Sequence, residues 1–196
     1  VIVVNDGSTD QTQMIAENFQ VQYPDVIKVI NKVNGGHGST INRSIESATG
    51  KYYKIVDADD WVEKDGLEKL VRYIENSDCD LILNPYWEIS ATTGAKSQQL
   101  SPCGSDIVEG KVFALANQRD IMLYMHSLTF KTSIVKKMGS IIDENCFYVD
   151  MEYALFPLEF VESAIFLNFP VYDYLLGSAT QSMAMDNMVK RRNQHL

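Results

Sequence analysis

Short apolar runs alternate with segments of helical spacing through the first half of the chain. The runs cover residues 1–4, 26–30, 52–56 and 80–83, and each has the length of a buried strand. Between them, apolar residues recur every three or four positions, as in helices that bury one face: Met14, Ile15 and Phe19, then Ile41, Ile45 and Ala48, then Leu67, Leu70, Val71 and Ile74. This rhythm predicts parallel βαβ units, and therefore an α/β domain with a mostly parallel central sheet.

The boundaries of these elements carry recognisable turn chemistry. Ser8 with Gln11 three positions later resembles a capping box and predicts the start of the first helix. Residues 34–39 are rich in glycine and predict a loop before the second helix. Gly50 stands where that second helix is expected to stop.

The second half of the chain has a less regular pattern. It predicts a hairpin or an irregular excursion over residues 85–110, a strand over 128–130, a short helix over 133–138, and strands over 164–167 and 171–175. A further helix is predicted over residues 150–161, although Pro157 should kink or shorten it.

The overall charge narrows the class of ligand. The chain has 17 Lys and Arg against 26 Asp and Glu, a formal net charge of −9. This balance argues against a nucleic-acid partner, because proteins that bind nucleic acids show a basic face. An anionic small ligand stays compatible with it, since a bound metal ion can invert the local field.

Cysteine usage and hydropathy predict a cytoplasmic setting. Cys79, Cys103 and Cys146 are odd in number and far apart, so they fit neither a disulfide framework nor a zinc site. The sequence shows neither an apolar run of membrane-spanning length nor a signal peptide. It begins in an apolar run without an initiator Met, and we expect a truncated fragment of a longer protein.

The most informative feature is the acidic cluster of Asp57, Asp59 and Asp60, which follows the predicted strand over residues 52–56. Carboxylates crowded at the end of a buried strand repel one another and must be paired, protonated or bound to a cation. Their oxygen atoms suit a hard ion such as Mg²⁺ or Mn²⁺. Asp60 fits a ligand and a cap of the following turn equally well. The cluster therefore predicts a metal site where open α/β sheets bind phosphorylated ligands.

Two further side chains are candidates for the same site. Asp6 lies at the carboxyl end of the first predicted strand, where both a ligand role and an Asx turn to Ser8 would fit. His37 lies between glycines just ahead of a predicted helix. Because the amino end of a helix favours an anion, His37 is a candidate phosphate contact.

Four segments, in this order, resemble the family 2 glycosyltransferases, which have the GT-A fold. They are Val3-Val4-Asn5-Asp6-Gly7-Ser8-Thr9-Asp10, Asn34-Gly35-Gly36, Ala48-Thr49-Gly50-Lys51-Tyr52 and Asp57-Ala58-Asp59-Asp60-Trp61. Together they span residues 1 to about 75, and the resemblance reappears at residues 143–145 and 148–152. It implies transfer of a sugar from a nucleotide-sugar, usually a UDP-sugar, to a glycan or lipid-linked acceptor. Inversion at the anomeric carbon and a divalent cation, Mn²⁺ or Mg²⁺, are implied as well.

The resemblance also implies residue roles. Asp6 matches the acid that contacts the uracil or ribose of the donor. Asp57 and Asp59 match the two acids of the DxD motif. Asp59 would ligate the metal directly, and Asp57 would bond the ribose or reach the metal through water. Asp150 matches the second acid of a Glu-Asp pair, which is the usual catalytic base.

The chain departs from the family pattern near the donor. An earlier strand and helix that form part of the family's nucleotide pocket are absent from this sequence. Ile41 stands where the family often carries Arg. We therefore expect Arg43 or His37 to supply the positive charge near the diphosphate.

A second departure concerns the base. Val149 replaces the Glu of the Glu-Asp pair, so Glu152 and Asp143 stay alternatives to Asp150. A non-catalytic module that binds nucleotide-sugars is a competing interpretation for the same reason. A nucleotidyltransferase is another, although such enzymes usually show a basic glycine-rich loop near the amino terminus, and this sequence shows none.

The functional division of the chain is also predicted. We expect one glycosyltransferase domain over residues 1–196, with a nucleotide-binding half (1–84) and an acceptor-binding half (85–196). Residues 181–183 fit a segment that closes over the donor. The basic residues 190–192 fit a solvated helix face, with peripheral contact to the inner face of a membrane as the lesser alternative. Synthesis of cell-surface glycan or polysaccharide is the process that the family suggests.

Overall fold

The computed structural model describes residues 1–177, and all helices and strands named below belong to that part of the chain. The helices are α1 (Thr12–Gln22), α2 (Gly36–Ser47), α3 (Lys64–Asn76), α4 (Thr132–Met138) and α5 (Asp150–Leu155). The strands are β1 (Ile2–Asn5), β2 (Lys28–Asn31), β3 (Tyr52–Tyr53), β4 (Trp61–Val62), β5 (Leu81–Leu83), β6 (Tyr86–Ser90), β7 (Lys96–Leu100), β8 (Val112–Phe113), β9 (Leu128–Lys131), β10 (Ala164–Phe166) and β11 (Tyr172–Leu176). Short 3₁₀ helices cover Leu115–Asn117, Met125–Ser127 and Phe156–Phe160.

The described strands form three sheets. β1 and β2 pair in parallel, with α1 between them in sequence. The largest sheet has the order β3-β9-β5-β10-β8, and the third has the order β4-β11-β6-β7. The chain passes from the largest sheet into the third sheet at two points, because β6 follows β5 and β11 follows β10.

The predicted α/β class is confirmed, but the sheets are mixed. Parallel pairs join β1 to β2, β5 to β10 and β6 to β11. In contrast, β9 runs antiparallel to both β3 and β5, and β7 returns from β6 as a hairpin. The expectation of a mostly parallel sheet is corrected in this respect, because β7, β8 and β9 run antiparallel to the strands they pair with.

The core lies on both sides of the largest sheet. Successive residues of a strand face opposite sides, and β5 follows this rule. Leu83 belongs to one apolar cluster with Ile41 and Ile45 of α2, whereas Ile82 belongs to another with Leu70 of α3. The apolar stripe predicted for α2 is therefore confirmed.

The first helix leaves its predicted apolar face half exposed. Met14, Ile15 and Phe19 are 52%, 50% and 49% exposed, and Ala16 is the buried residue of α1. This corrects the prediction that those three side chains enter the core. The reason is that α1 packs on the narrow β1–β2 pair, which covers only part of its apolar stripe.

Two helix starts also differ from the prediction. The Asp10 side chain accepts a hydrogen bond from the Thr12 N–H at 3.0 Å, and α1 begins at Thr12 without a side-chain cap from Gln11. The Ser8–Gln11 capping box is therefore wrong. The second helix begins at Gly36, within the predicted loop, so that His37 lies in its first turn.

The strand predicted over residues 52–56 is shorter in the structure, where β3 covers Tyr52–Tyr53. Among residues 1–177, β3 pairs only with β9 and β1 only with β2. Both unpaired edges line one groove of about 630 Å³, which extends to Asp6, His37 and Asp57. Within the described chain, residues 54–56 have no neighbouring strand to pair with, and this explains why β3 stops early.

The second half follows its predicted outline. The hairpin of β6 and β7 lies within residues 85–110, and the short helix over 133–138 is confirmed as α4. Pro157 ends the helix that begins at Asp150, because the chain passes into a 3₁₀ turn at Phe156. Residues 181–183 and 190–192 lie outside the described part of the chain.

The cysteines and the hydropathy of the helices agree with the sequence analysis. Cys79, Cys103 and Cys146 are all free thiols, as predicted from their spacing. Within residues 1–177, every helix falls short of the length and apolar character that crossing a bilayer requires.

A substitution at Gly38 would test how closely α2 packs against the chain at residue 143. A Cβ atom at this position would overlap the carbonyl oxygen of Asp143, which lies against the helix. We expect Gly38→Ala to lower the free energy of unfolding by about 1–3 kcal/mol, the usual cost of over-packing, as measured by urea denaturation. The control is Gly50→Ala, because the nearest atom to its added Cβ lies at 3.6 Å. Equal stability of the two variants would contradict the close approach of α2 to residue 143.

Candidate active site

The acidic cluster lies between β3 and β4, and hydrogen bonds fix the position of one of its members, Asp60. The Asp60 carboxylate accepts a hydrogen bond from the Tyr172 hydroxyl at 2.6 Å and another from the Leu175 N–H at 2.8 Å. Both donors belong to β11, which pairs with β4 directly after the cluster. Burial, together with the charges of Asp57 and Asp59, raises the pKa of Asp60 to about 6. The ionised form of Asp60 is therefore destabilised at this position.

Asp57 is connected to the same tyrosine and to a histidine. Its backbone N–H donates to the Tyr172 oxygen at 3.0 Å. Its carboxylate lies 3.3 Å from Nε2 of His37 in the first turn of α2. The structure thus brings together two predicted site residues that are 20 positions apart in sequence.

Asp6 holds the start of α2 in position. Its carboxylate accepts hydrogen bonds from the N–H groups of Gly35 and Gly36 at 3.0 and 2.9 Å, and it pairs with the Lys32 ammonium at 2.6 Å. Burial opposes its ionisation, but these partners hold the pKa of Asp6 below its usual range. Asp6 therefore has a structural task, and its predicted contact with the donor stays a prediction.

A buried asparagine attaches the segment before α5 to α2. The Asn42 amide donates to the Ile142 carbonyl at 2.8 Å, and its side-chain oxygen accepts from the Ile142 N–H at 3.1 Å. The Asn145 N–H donates to the Gly35 carbonyl at 2.7 Å. These contacts carry the chain from residue 142 across the amino end of α2, and α5 follows.

The three candidate bases have different surroundings. Asp150 is exposed at the first residue of α5, after Val149, which is 1% exposed and packs in the core. Glu152 accepts a hydrogen bond from the Asp143 N–H at 2.8 Å, so that its carboxylate is used to hold the backbone. Asp143 is exposed as well, but Asp150 is the exposed candidate whose charge acts on the pKa of His37.

The charges of three acids act on the pKa of His37. Burial alone would lower its pKa, but the Asp57 carboxylate raises it, and the charges of Asp150 and Asp59 add to this effect, so that the net shift is upward. Arg43, the other candidate for a positive charge, pairs with Glu46 at 2.8 Å on the surface of α2. Of the two candidates, His37 is therefore the one that this site holds beside its carboxylates.

The residues that best fit a metal ion are Asp57, Asp60 and His126. One ligand atom from each lies within 4.8 Å of the others. Nδ1 of His126 is buried and has no hydrogen-bond partner within residues 1–177. Two carboxylates and a neutral imidazole fit Mn²⁺ well and Mg²⁺ less well. The oxygen atoms of Asp59 are outside this group, although the charge of Asp59 acts on both His37 and Asp60.

Sequence patterns pointed to some of these groups and missed others. Asp57 and His37 were predicted as site residues and their side chains lie 3.3 Å apart, whereas Asp60 was ambiguous. His126 has no recognisable ligand spacing in the sequence, so no prediction included it. Tyr172 had no detectable signal, because its role depends on β11 pairing beside β4. The excess of a third acid at residue 60 was the available clue for a larger ligand set.

Family comparison agrees with the fold and with the motifs. The sequence model of glycosyl transferase family 2 matches residues 1–138, and the chain belongs to this family. Glycosyltransferase GlyG of Streptococcus pneumoniae serotype 4 is 33% identical over 95 residues, which cover 48% of this chain and 31% of GlyG. Minor teichoic acid biosynthesis protein GgaB of Bacillus subtilis is 29% identical over 148 residues, which cover 74% of this chain and 16% of GgaB.

Solved structures confirm the GT-A fold. S. aureus TarS 1–349 in complex with UDP-GlcNAc has a TM-score of 0.70 at 21% identity, and the match covers 91% of this chain and 50% of that one. Mannosyltransferase PcManGT of Pyrobaculum calidifontis, in complex with GDP-Man and Mn²⁺, has a TM-score of 0.59 at 16% identity, with coverage of 100% and 53%. The chain spans about half the length of these structures and a smaller share of the curated relatives.

Tyr172 is expected to stabilise the folded site. Its side chain is fully buried, and its hydroxyl joins Asp60 to the backbone of Asp57. Tyr172→Phe should lower the free energy of unfolding by about 1–3 kcal/mol, because a buried carboxylate and an N–H lose their partner. Urea denaturation measures the loss, with Tyr23→Phe as the exposed control. Unchanged stability of Tyr172→Phe would contradict this role.

His37 is expected to titrate above its ordinary range. NMR of the imidazole should give a pKa above 6.5 in the wild type and a lower one in Asp57→Asn, since the main favourable charge is removed. Because the folded pKa is raised, the contribution of His37 to stability is complete below pH 6.5 and is lost as the pH rises through the folded pKa. A pKa that is unaffected by Asp57→Asn would disprove the pairing.

Proposed function

We propose that this chain contains the donor site and the base of an inverting glycosyltransferase. The reaction moves a sugar from a nucleotide-sugar, most simply a UDP-sugar, to an acceptor hydroxyl. The observation that carries this proposal is the position of the Asp57 carboxylate, which lies 3.3 Å from His37 Nε2 and within 4.8 Å of ligand atoms of Asp60 and His126. Membership of glycosyl transferase family 2 supports the same reaction class.

In this proposal Asp150 acts as the general base. It accepts the proton of the acceptor hydroxyl while the hydroxyl oxygen forms a bond to the anomeric carbon. The bond from that carbon to the diphosphate oxygen breaks on the opposite face, and its electron pair leaves with the nucleoside diphosphate. A positioned base of this kind contributes roughly 10²–10⁴-fold to the rate. The exposure of Asp150 leaves room for an acceptor to approach.

The donor side of the site offers positive charge and backbone donors. His37 lies in the first turn of α2, and its raised pKa favours the protonated form beside a diphosphate. Asp57 and Asp59 are the proposed DxD acids, with Asp57 already placed beside other ligand atoms. A bound Mn²⁺ or Mg²⁺ would stabilise the negative charge that develops on the leaving diphosphate. Asp6 is proposed to reach the uracil or ribose from the carboxyl end of β1.

The acceptor and the setting are proposed from chemistry and relatives. We assign residues 1–84 to the nucleotide and residues 85–196 to the acceptor, which we take to be a glycan or a lipid-linked sugar. The name of GgaB supports a role in cell-surface polymer synthesis. Donor supply from nucleotide-sugars favours a cytoplasmic location, at the inner face of the membrane where the acceptor is lipid-linked.

Transfer assays with UDP-sugars and Mn²⁺ test this proposal. Asp150→Asn should lower turnover by roughly 10²–10⁴-fold while UDP binding, measured by calorimetry, is kept. Asp59→Asn should abolish both binding and turnover, because it removes the second acid of the proposed DxD motif, whose charge acts on His37 and Asp60. The matched control is Glu152→Gln, whose amide oxygen can still accept from the Asp143 N–H.

Each alternative has its own outcome. Normal turnover by Asp150→Asn would reject it as the base, and loss of turnover in Glu152→Gln would transfer that role to Glu152. Binding of UDP without glycosylation of any acceptor would favour a module that only binds nucleotide-sugars.

A further inference from the structure

His126 lies in a rigid aromatic setting next to the acidic cluster. Its ring stacks on Tyr174 with centroids 4.1 Å apart and an interplanar angle of 28°. The rings of Tyr172 and Tyr86 lie at 4.9 and 5.0 Å on other sides. The backbone is fixed too, since the Lys54 ammonium donates to the His126 carbonyl at 2.7 Å. This imidazole is therefore oriented by its neighbours before any ligand binds.

The ring carries hydrogen-bonding capacity that the protein leaves unused. Nδ1 is buried without a partner in the described chain, and such an atom costs stability unless a ligand satisfies it. A histidine that only filled space among tyrosines would not need a ring nitrogen within 4.8 Å of two carboxylate oxygens.

We propose that His126 is a nitrogen ligand of the divalent cation, which it binds together with the carboxylates of Asp57 and Asp60. The proposal rests on the metal-dependent function above and assigns a ligand that lies outside the DxD motif. Tyr172 and the Leu175 N–H hold Asp60, and the aromatic rings hold His126, so both ligands are oriented by outer contacts. The site then prefers Mn²⁺ to Mg²⁺, because imidazole suits transition metals better than magnesium.

Pulsed EPR of the complex with Mn²⁺ and UDP tests this ligand directly. The wild type should show coupling of the metal electrons to a histidine nitrogen, identified by its change on labelling with ¹⁵N-histidine. His126→Gln should lose the coupling and raise the Kd for Mn²⁺ by at least roughly 10-fold, since loss of even an outer contact of a ligand costs about 10–100-fold, with a smaller effect on Mg²⁺. His37→Gln is the matched control. It should keep the coupling, since the His37 ring pairs with Asp57 and does not belong to the group of proposed ligands.

A second variant keeps the test decisive if His126→Gln does not fold. In the double variant His37→Gln/His195→Gln, His126 is the one histidine left in the chain. A ¹⁵N-histidine coupling in that protein supports the assignment, and its absence with Mn²⁺ bound overturns it. Coupling retained in folded His126→Gln overturns it as well. If the wild type binds no Mn²⁺ in the presence of UDP, both the metal-dependent function and the assignment of His126 are rejected. If it binds Mn²⁺ without nitrogen coupling, only the assignment of His126 is rejected.

Discussion

Repulsion among the carboxylates at residues 57–60 is the constraint on which the rest of this structure depends. Three acids within four positions can be held in a half-buried loop only if neighbouring groups offset their charge. The protein does this with the Tyr172 hydroxyl, the Leu175 N–H and the imidazole of His37. The compensation is incomplete, as the raised pKa of Asp60 shows. A bound cation would complete it, so the repulsion among the carboxylates and their proposed affinity for metal have the same origin.

The compensating groups come from parts of the chain that are far apart. β11 supplies Tyr172 because it pairs between β4 and β6, and α2 supplies His37 because Asp6 binds the N–H groups at its start. Asn42 then attaches the chain before α5 to the same helix. One helix terminus therefore positions both the proposed phosphate contact and the proposed base. This arrangement gives the amino end of α2 a larger role than its glycine-rich sequence suggests.

The amino-terminal unit keeps much of its apolar surface exposed. β1, α1 and β2 form a small layer whose helix keeps apolar side chains half exposed, and one edge of β1 faces an open groove. β3 presents its own unpaired edge to that groove. The Asp6 and Asn42 contacts keep the site assembled although this layer packs loosely.

The sequence by itself determined the α/β class, the apolar stripe of α2 and the position of Pro157 as a helix end, and it singled out Asp57 and His37 as candidate site residues. These features depend on local spacing and on residue chemistry, which are present in any stretch of chain. Only the tertiary structure decided that the sheets are mixed, that α1 stays half exposed, and that Asp60 and His126 meet. Strand direction, burial and ligand geometry depend on contacts between distant residues, such as the 112 positions that separate Tyr172 from Asp60, and no local pattern encodes such contacts. The metal-binding potential of His126 is for that reason a property of the fold.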